Sequence, residues 1–557
     1  MANADLSGVY VVRESRARGD AIYALGIDFS TQSAKALVLD ARSADVVHAD
    51  SFEYDTAFPD HGTKGGVLQS RHPSLRHTSP FMLIEALDLV FGRLHKSGVE
   101  VGRIGAVKID AMQHCTVYAN ASFGERVAAL SPGQDLLPQV EPDITRRTSP
   151  IWEDRSPVKE AEHLANALEK HGSILALTGN RAELRFPAAQ VLKWARESPD
   201  EYARTAHIFL LSAFLTSILA GKVAPVDTGD GWGTNLNTLD IHHPGWNDVV
   251  LRAADEYVGS RNAGLPLRKR LGEMVHYDTV LGPIAPYFVC RYGMHPGAIV
   301  LAGTGDNPAT LLGCGGWVVV SLGSSYTVNG LMREIVPSAT GEYNVFGYTP
   351  GNAMALTVVT NGAKVHEFFR DKYIPKETSG SETDDRWEAY VSAAGSPVLR
   401  ENERLMLPYL RDESVPLRPG GMVRDGFDDH DARVNIRSLH VSQALSLKLH
   451  SSHLSRPEAL CVVGGASQNR FLRQMIADVF DADTYSIRHA GFAAAHGCAI
   501  SGARELLDIT YDEAARRFVP LDRASSVRPI EENRHAVQAL LNRYAALEGR
   551  AAARSPL

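Results

Sequence analysis

Two carboxylates stand three residues apart in a glycine-rich stretch, Asp227-Thr228-Gly229-Asp230-Gly231-Trp232-Gly233-Thr234-Asn235. A carboxylate at Asp230 can accept a hydroxyl proton there, because the glycines let a substrate come within hydrogen-bond reach. The same stretch also reads as a polar turn, and spacing alone favours the turn. Asp28 ends the apolar run Leu25-Gly26-Ile27-Asp28. A carboxylate in that position is costly unless charge or hydrogen bonds meet it. A hydrated Mg²⁺ would meet it, since that ion takes one or two carboxylates plus phosphate oxygens. Capping of the following turn would serve equally. Two turns rich in Ser and Thr, Ser30-Thr31-Gln32 with Lys35 and Ser321-Leu322-Gly323-Ser324-Ser325 with Thr327, can each cradle an anion on successive backbone N–H groups. Solvent-exposed hairpin turns have the same composition. His114, in Met112-Gln113-His114-Cys115, follows the apolar run Ile104 to Ile109. It is either a satisfied core histidine or a group working through its hydrogen bonds. Asp306 and Asn307 follow the run Ala298 to Ala302, where strand-end polar residues of α/β proteins line ligand crevices; a turn accounts for them as well.

The elements that would position these groups show in the hydrophobic pattern. The first Ser/Thr turn lies between the apolar runs Ile22 to Ile27 and Ala36 to Leu39. The second lies between Trp317 to Val320 and a returning run that reaches Leu331. Each set predicts a strand, a tight turn and a returning strand. Two such hairpins, each near the start of one half, predict a duplicated fold with a ligand between the halves. A third segment predicts a short strand, Leu460 to Val463, then the turn Gly464-Gly465-Ala466-Ser467. After it comes a helix with Phe471, Leu472, Met475, Ile476, Val479 and Phe480 on one face. Strand, glycine turn and helix start suit a nucleotide, because small residues admit it and helix N-terminal amides face it. The most apolar stretch, Ala206 to Gly221, predicts a buried core helix and is too short for the about 20 residues of a membrane span.

Bulk properties narrow the function classes. The 557 residues carry 57 Lys and Arg against 65 Asp and Glu, a net charge of −8. No basic surplus exists for nucleic acid or anionic lipid to read. The five cysteines, Cys115, Cys290, Cys314, Cys461 and Cys498, form no CxxC pair. This predicts a reducing, cytoplasmic setting without disulfides or zinc, and buried thiols. Met1 to Asp20 lacks the apolar region of a secretory signal and predicts a flexible tail. Ser379 to Asp385 predicts an exposed loop. Asn402 to Asp431, rich in Pro, Arg and Asp, predicts an insertion that contacts a partner or a solvated excursion.

Taken in order, these segments resemble the FGGY carbohydrate kinase family, within the actin/hexokinase/Hsp70-like ATPase superfamily. The likeness rests on Gly26 to Gln32 with Lys35, Gln113-His114, Trp152 to Arg155, Asp230-Gly231, Gly305-Asp306-Asn307, Ser321 to Ser325 and Gly464 to Ser467 with Asn469. The helix Ala493 to Ala499 also fits. Each motif is weak alone; the ordered set, spanning roughly residues 22 to 505, is strong. Within the family the eukaryotic-type xylulose kinases are most similar, on Asp28 to Gln32, Gly65-Gly66-Val67, Leu177 to Arg181 and Val479 to Ala482. The resemblance implies a two-lobed α/β fold of duplicated ribonuclease H-like domains, with lobes at 21–308 and 309–557 closing on a cleft. It implies ATP-dependent phosphorylation of a ketose such as D-xylulose. Asp230 would be the catalytic base, and Gln113, His114, Arg185, Asp306 and Asn307 would contact sugar. Ser30, Thr31, Gln32, Lys35, Gly323, Ser324 and Ser325 would hold phosphates. Gly464, Gly465 and Asn469 would hold adenosine with Trp387 nearby, and Asp28 would hold Mg²⁺. Its implied partners are sugar and ATP, with no nucleic acid or membrane, in a monomer or homodimer. Cys115, Asp110, Gly229 and Trp232 depart from the family pattern around the implied sugar pocket. They bear on which sugar binds more than on the reaction. Other readings are a family kinase acting on ribulose, gluconate or glycerol, and a nucleotide-dependent binding protein on the same ATPase fold, which would need no sugar-facing base.

Overall fold

A computed structural model describes residues 21–375, 386–457 and 459–554. The expected tail, Met1 to Asp20, and the expected loop, Ser379 to Asp385, lie outside the described residues. The first hairpin forms as β1 (Tyr23–Phe29) and β2 (Ser33–Asp40), followed by β3 (Val46–Glu53). β1 is buried along its whole length, as a strand covered on both faces must be. The chain continues through α1 (Pro80–Lys96), β4 (Ile104–Ala111), α2 (Leu211–Ala220) and α3 (Thr228–Gly231). It then adds β5 (Val280–Pro283), β6 (Ile299–Leu301) and α4 (Asp306–Gly313). The sheet runs β5-β6-β4-β1-β2-β3. β1, β2 and β3 are antiparallel neighbours, β4 lies parallel to β1, β6 parallel to β4, and β5 closes the edge antiparallel.

The second half repeats this plan. β7 (Val318–Leu322) and β8 (Tyr326–Leu331) form the second hairpin, followed by β9 (Asn344–Gly347) and β10 (Ala353–Val359). α5 (Ala363–Tyr373), α6 (Arg386–Ala393) and α7 (Ala432–Leu449) lead to β11 (Ala459–Val463), α8 (Arg470–Phe480) and β12 (Asp483–Ile487). α9 (Ala493–Leu507), β13 (Leu521–Val527) and α10 (Asn533–Arg554) complete the chain. The second sheet runs β9-β10-β8-β7-β11-β12-β13. Set aside the edge strand β9, and β10-β8-β7-β11-β12-β13 has the directions of β3-β2-β1-β4-β6-β5. The duplication expected from two short hairpins is therefore present in the pairing of both sheets.

Each sheet has its own apolar core, and a third core joins them. That third core mixes Ala24, Leu37 and Ala106 of the first sheet with Val319, Cys461 and residues of α4 and α9. α9 is therefore a second-half helix that covers β1 and β4. Three glycines allow its close approach. A Cβ on Gly26 would overlap the Ala495 carbonyl, one on Gly313 the Ala493 carbonyl, and one on Gly497 the Ala309 carbonyl.

Three expectations need correction. Ala206 to Gly221 is not one helix: His207–Leu210 is a strand paired antiparallel with Thr116–Ala119, and α2 starts after it. Local apolarity did not distinguish them; the pairing did. The segment Asn402 to Asp431 is a solvated excursion only in part: Met406–Tyr409 pairs with Gly421–Arg424 and its Met406, Leu407 and Tyr409 are core, whereas no residue from 416 to 431 is buried. Four cysteines are buried and free as expected, but Cys290 is exposed. Among the described residues no helix is long and apolar enough to cross a membrane.

The helix contact at Gly497 generates a stability test. Gly497→Val should destabilise by about 1–3 kcal/mol or more, as overpacking does. Gly549→Ala, exposed on α10 with open space around its Cα, should stabilise by about 0.5–1 kcal/mol through helix propensity. Urea unfolding of both variants checks the contrast.

Candidate active site

The carboxyl ends of β1 and β4 place acidic groups together. Asp28 and Asp110 are register partners on the two parallel strands. Asp28 is 3% exposed and Asp110 fully buried. Lys35, across the hairpin from Asp28, donates to Asp28 Oδ2 at 2.9 Å, and Asp28 Oδ1 has no partner. Burial works against the Lys35 charge, but the Asp28 contact prevails and raises its pKa. Lys35 is thus the counter-ion of Asp28, beside the turn it was expected to serve. Asp110 accepts a hydrogen bond from the Cys498 thiol at 3.3 Å. Burial, and then the charges of Asp28 and Asp306, hold the Asp110 carboxyl well above its usual range. Asp306 sits at the start of α4, and burial with the Asp28 charge pushes it up to about 7.

The turn Ser30-Thr31-Gln32 is fixed from its own strands and from outside. Ser30 N–H and Oγ both donate to the Ser33 carbonyl, at 3.1 and 3.0 Å. Trp152 Nε1 donates to Thr31 Oγ1 at 3.0 Å, and Gln32 is exposed. Gly66, at φ +74°, packs against Thr31 so closely that a Cβ would overlap the Thr31 carbonyl.

Asp230 lies on α3, whose N-cap is Asp227; the Asp227 side chain accepts the Asp230 amide at 2.9 Å. Ser212, on α2, donates to Asp230 Oδ2 at 2.5 Å, and Oδ1 is left without a partner. Burial raises the Asp230 pKa well above the carboxylate range against the Ser212 hydrogen bond, with Asp227 and Asp306 adding to the rise. Behind it, the fully buried Lys108 ammonium donates to the Tyr277 and Ala302 carbonyls at 2.6 and 2.7 Å and stands 3.9 Å from Asp227. Burial weakens the charge on both members: it lowers the Lys108 pKa and pushes Asp227 up to about 6.

Gln113 stitches this loop to α4. Its Nε2 donates to the Gly229 carbonyl at 3.0 Å, and its Oε1 accepts from Asn307 Nδ2 at 2.7 Å. His114 adopts φ +70°, stacks on Phe186 with centroids 4.3 Å apart, and donates through Nδ1 to the Gly233 carbonyl at 2.8 Å. A carbonyl can only accept, so Nδ1 carries the proton and Nε2 is an acceptor. Burial, with Arg185 nearby, lowers the His114 pKa to about 3. Arg185 itself donates to Asn344 Oδ1 at 2.7 Å, which ties it to β9 of the second half. The second expected group surrounds a separate cavity of about 730 Å³, whose lining includes Gly323, Ser324, Trp387, Gly465 and Asn469. Gly464, at φ +91°, lies against the Leu322 backbone where a Cβ would not fit. Gly465 has open space around it. Asn469 is held in place: Oδ1 caps α8 at Leu472 N, and Nδ2 donates to His440 Nε2 at 2.8 Å. Ser325 Oγ donates to the Thr360 carbonyl at 3.3 Å.

Sequence reasoning missed Lys108, Ser212 and Asn344. Lys108 had a signal, a charge inside an otherwise apolar strand. Ser212 and Asn344 had none, because each gains its place only through a partner far along the chain.

Residues 318–506 match the model of the FGGY family of carbohydrate kinases, C-terminal domain. The xylulose kinase of Rattus norvegicus is 31% identical over 550 residues, covering 96% of this chain and 98% of the relative. Among solved structures, the xylulose kinase from Rhodospirillum rubrum has a TM-score of 0.77 at 16% identity, covering 95% of this chain and 98% of that one. The gluconate kinase from Lactobacillus acidophilus reaches 0.76 at 16%, with the same coverage. The two-lobed fold is thus common to kinases of different acceptors.

The His114 geometry makes a spectroscopic prediction. Its imidazole should stay neutral, with the proton on Nδ1, down to about pH 4, well below the ordinary histidine range. Histidine-selective ¹⁵N NMR against pH, with His114→Gln for assignment, checks this. Because the folded pKa is depressed, the neutral ring contributes stability at neutral pH that is progressively lost as pH falls from the unfolded value towards about 3.

Proposed function

The chain belongs to the FGGY family of carbohydrate kinases, and on that premise we propose that it phosphorylates D-xylulose with ATP, giving D-xylulose 5-phosphate and ADP. The substrate rests on likeness over nearly the whole chain to xylulose kinases, including those of rat and mouse. The observation that carries the chemistry is Asp230: a buried carboxylate with one oxygen held by Ser212 and the other free.

In this reading Asp230 Oδ1 accepts the proton of the attacking O5 hydroxyl as the γ-phosphoryl transfers in line. Ser212 keeps the carboxylate oriented, and Gln113 holds the base loop against α4. The neutral His114 offers Nε2 as an acceptor to a sugar hydroxyl, while Arg185, Asp306 and Asn307 supply further polar contacts. Adenosine occupies the cavity beside Trp387, Gly465 and Asn469. The phosphates reach the turns at Ser30 to Gln32 and Gly323 to Ser325, where backbone amides and hydroxyls meet them. A divalent cation fits this site, since Asp28 has a buried oxygen without a partner. Held by Asp28 and phosphate oxygens, Mg²⁺ would neutralise charge on the phosphates. Closure of the lobes would exclude water from the transfer.

A coupled ADP-release assay with MgATP across D-xylulose, D-ribulose, L-ribulose, L-xylulose, gluconate and glycerol tests the substrate. Turnover with D-xylulose alone is expected; preference for another acceptor would keep the kinase and overturn the sugar. Folded protein that releases ADP without any sugar would favour a nucleotide-dependent binding protein. Asp230→Ala should lower kcat by ~10²–10⁴-fold, the usual contribution of a general base, with the KM for ATP little changed. Because the base acts deprotonated and its pKa is raised, wild-type kcat/KM should rise with pH along a limb above the ordinary carboxylate range.

A further inference from the structure

β1 and β4 are parallel neighbours, and their register sets Asp28 directly beside Asp110. Register partners on adjacent strands share a face of the sheet. Here that face lies under α9, from which Cys498 reaches Asp110. The two carboxylates have the same kind of partial satisfaction. Asp28 Oδ2 takes Lys35 at 2.9 Å, and Asp110 Oδ2 takes the Cys498 thiol at 3.3 Å. In each, Oδ1 is buried without a partner. The thiol brings no charge, and Asp306 adds a third carboxylate close enough to act on both Asp28 and Asp110. Lys35 is the cation in contact with this group; the Lys108 ammonium, two residues before Asp110 on β4, acts on Asp110 only through space and is turned to the Tyr277 and Ala302 carbonyls. The two carboxylates are close enough to share a proton, and with no side-chain donor on either Oδ1 the same pair is placed to share a cation.

We infer that Asp110 is a second carboxylate ligand of the divalent cation, so that Asp28 and Asp110 hold the ion together. The inference deepens the kinase reading of the same site, since phosphate oxygens of the nucleotide complete the shell. Among the described residues no three His, Cys, Asp or Glu side chains form a ready cage for a metal ion. That agrees with an ion that keeps water and phosphate oxygens and takes only one or two carboxylates from protein. The competing role for Asp110 is a neutral acid that donates its proton to Asp28. Asparagine reproduces such a donor but offers a cation only a neutral amide oxygen, a weaker ligand than a carboxylate, so Asp110→Asn separates the two.

The test is Mn²⁺ binding to the full chain in the presence of ADP, followed by electron paramagnetic resonance. Asp110→Asn and Asp110→Ala should both weaken Mn²⁺ binding at least tenfold, with metal-free ADP binding unchanged. Wild-type affinity in Asp110→Asn overturns the inference. Should the variants not fold, anomalous diffraction from wild-type crystals soaked in MnCl₂ and ADP decides: a peak touching both carboxylates supports it, and a peak touching Asp28 without Asp110 overturns it. Wild-type ADP release in the presence of sugars is measured alongside. Its absence would overturn the functional reading and leave the Mn²⁺ result standing.

Discussion

Asp28, Asp110 and Asp230, with the partly exposed Asp306, bring four carboxylates to the carboxyl end of one sheet and its adjoining helices, and little water reaches the first three. An uncompensated buried charge costs several kcal/mol. The net stability of a folded domain is only about 5–15 kcal/mol. A site of this kind therefore persists only where each carboxylate is met, neutralised or awaiting a ligand. The structure answers each differently: Lys35 for Asp28, the Cys498 thiol for Asp110, Ser212 for Asp230, and Asn307 for Asp306. The free oxygens that remain on Asp28, Asp110 and Asp230 are the places where the fold is incomplete by itself. They are also where the proposed phosphoryl transfer would place a cation and a base.

Holding those groups still requires both halves of the chain. The Asp230 loop is anchored through Gln113 to α4, through Asp227 to its own amide, and through Ser212 to α2. α4 packs on α9 at two glycines, and α9 covers the strands that carry Asp28 and Asp110. Asn180, in the stretch Leu177 to Arg181, exchanges two hydrogen bonds with the Val345 backbone, at 2.8 and 2.9 Å, while Arg185 grips Asn344. The first lobe, where the sugar is proposed to bind, is thus in direct contact with the second. Ligand-dependent closure would act through these bridges, since packed helices and bridging hydrogen bonds shift as units more readily than they deform.

Much of this was legible in the sequence because it is local. Alternation of apolar runs with Ser/Thr turns specified both hairpins, since a strand buried on both faces has few other compositions. The stripe Phe471 to Phe480 specified α8 in the same way. The duplicated plan followed from seeing one local pattern twice, and the ordered motifs led to the family. Asp28 and the glycine turn at Gly464 were visible because each interrupts a strongly patterned segment, whereas Asp230 stood out from a polar turn only through the resemblance to the family. What only the tertiary structure decided is non-local. The Asp28 and Asp110 pairing depends on a strand register 82 positions apart in the chain. The hold of Ser212 on Asp230, the tie of Arg185 to Asn344, and the passage of α9 under the first sheet each join residues that no sequence period connects. The strand at His207–Leu210 was hidden for the same reason, because apolar composition reports burial but not pairing. Composition and spacing determine most of the elements that form; the pairing of an apolar run and the partners of a buried charge are set only when those elements pack.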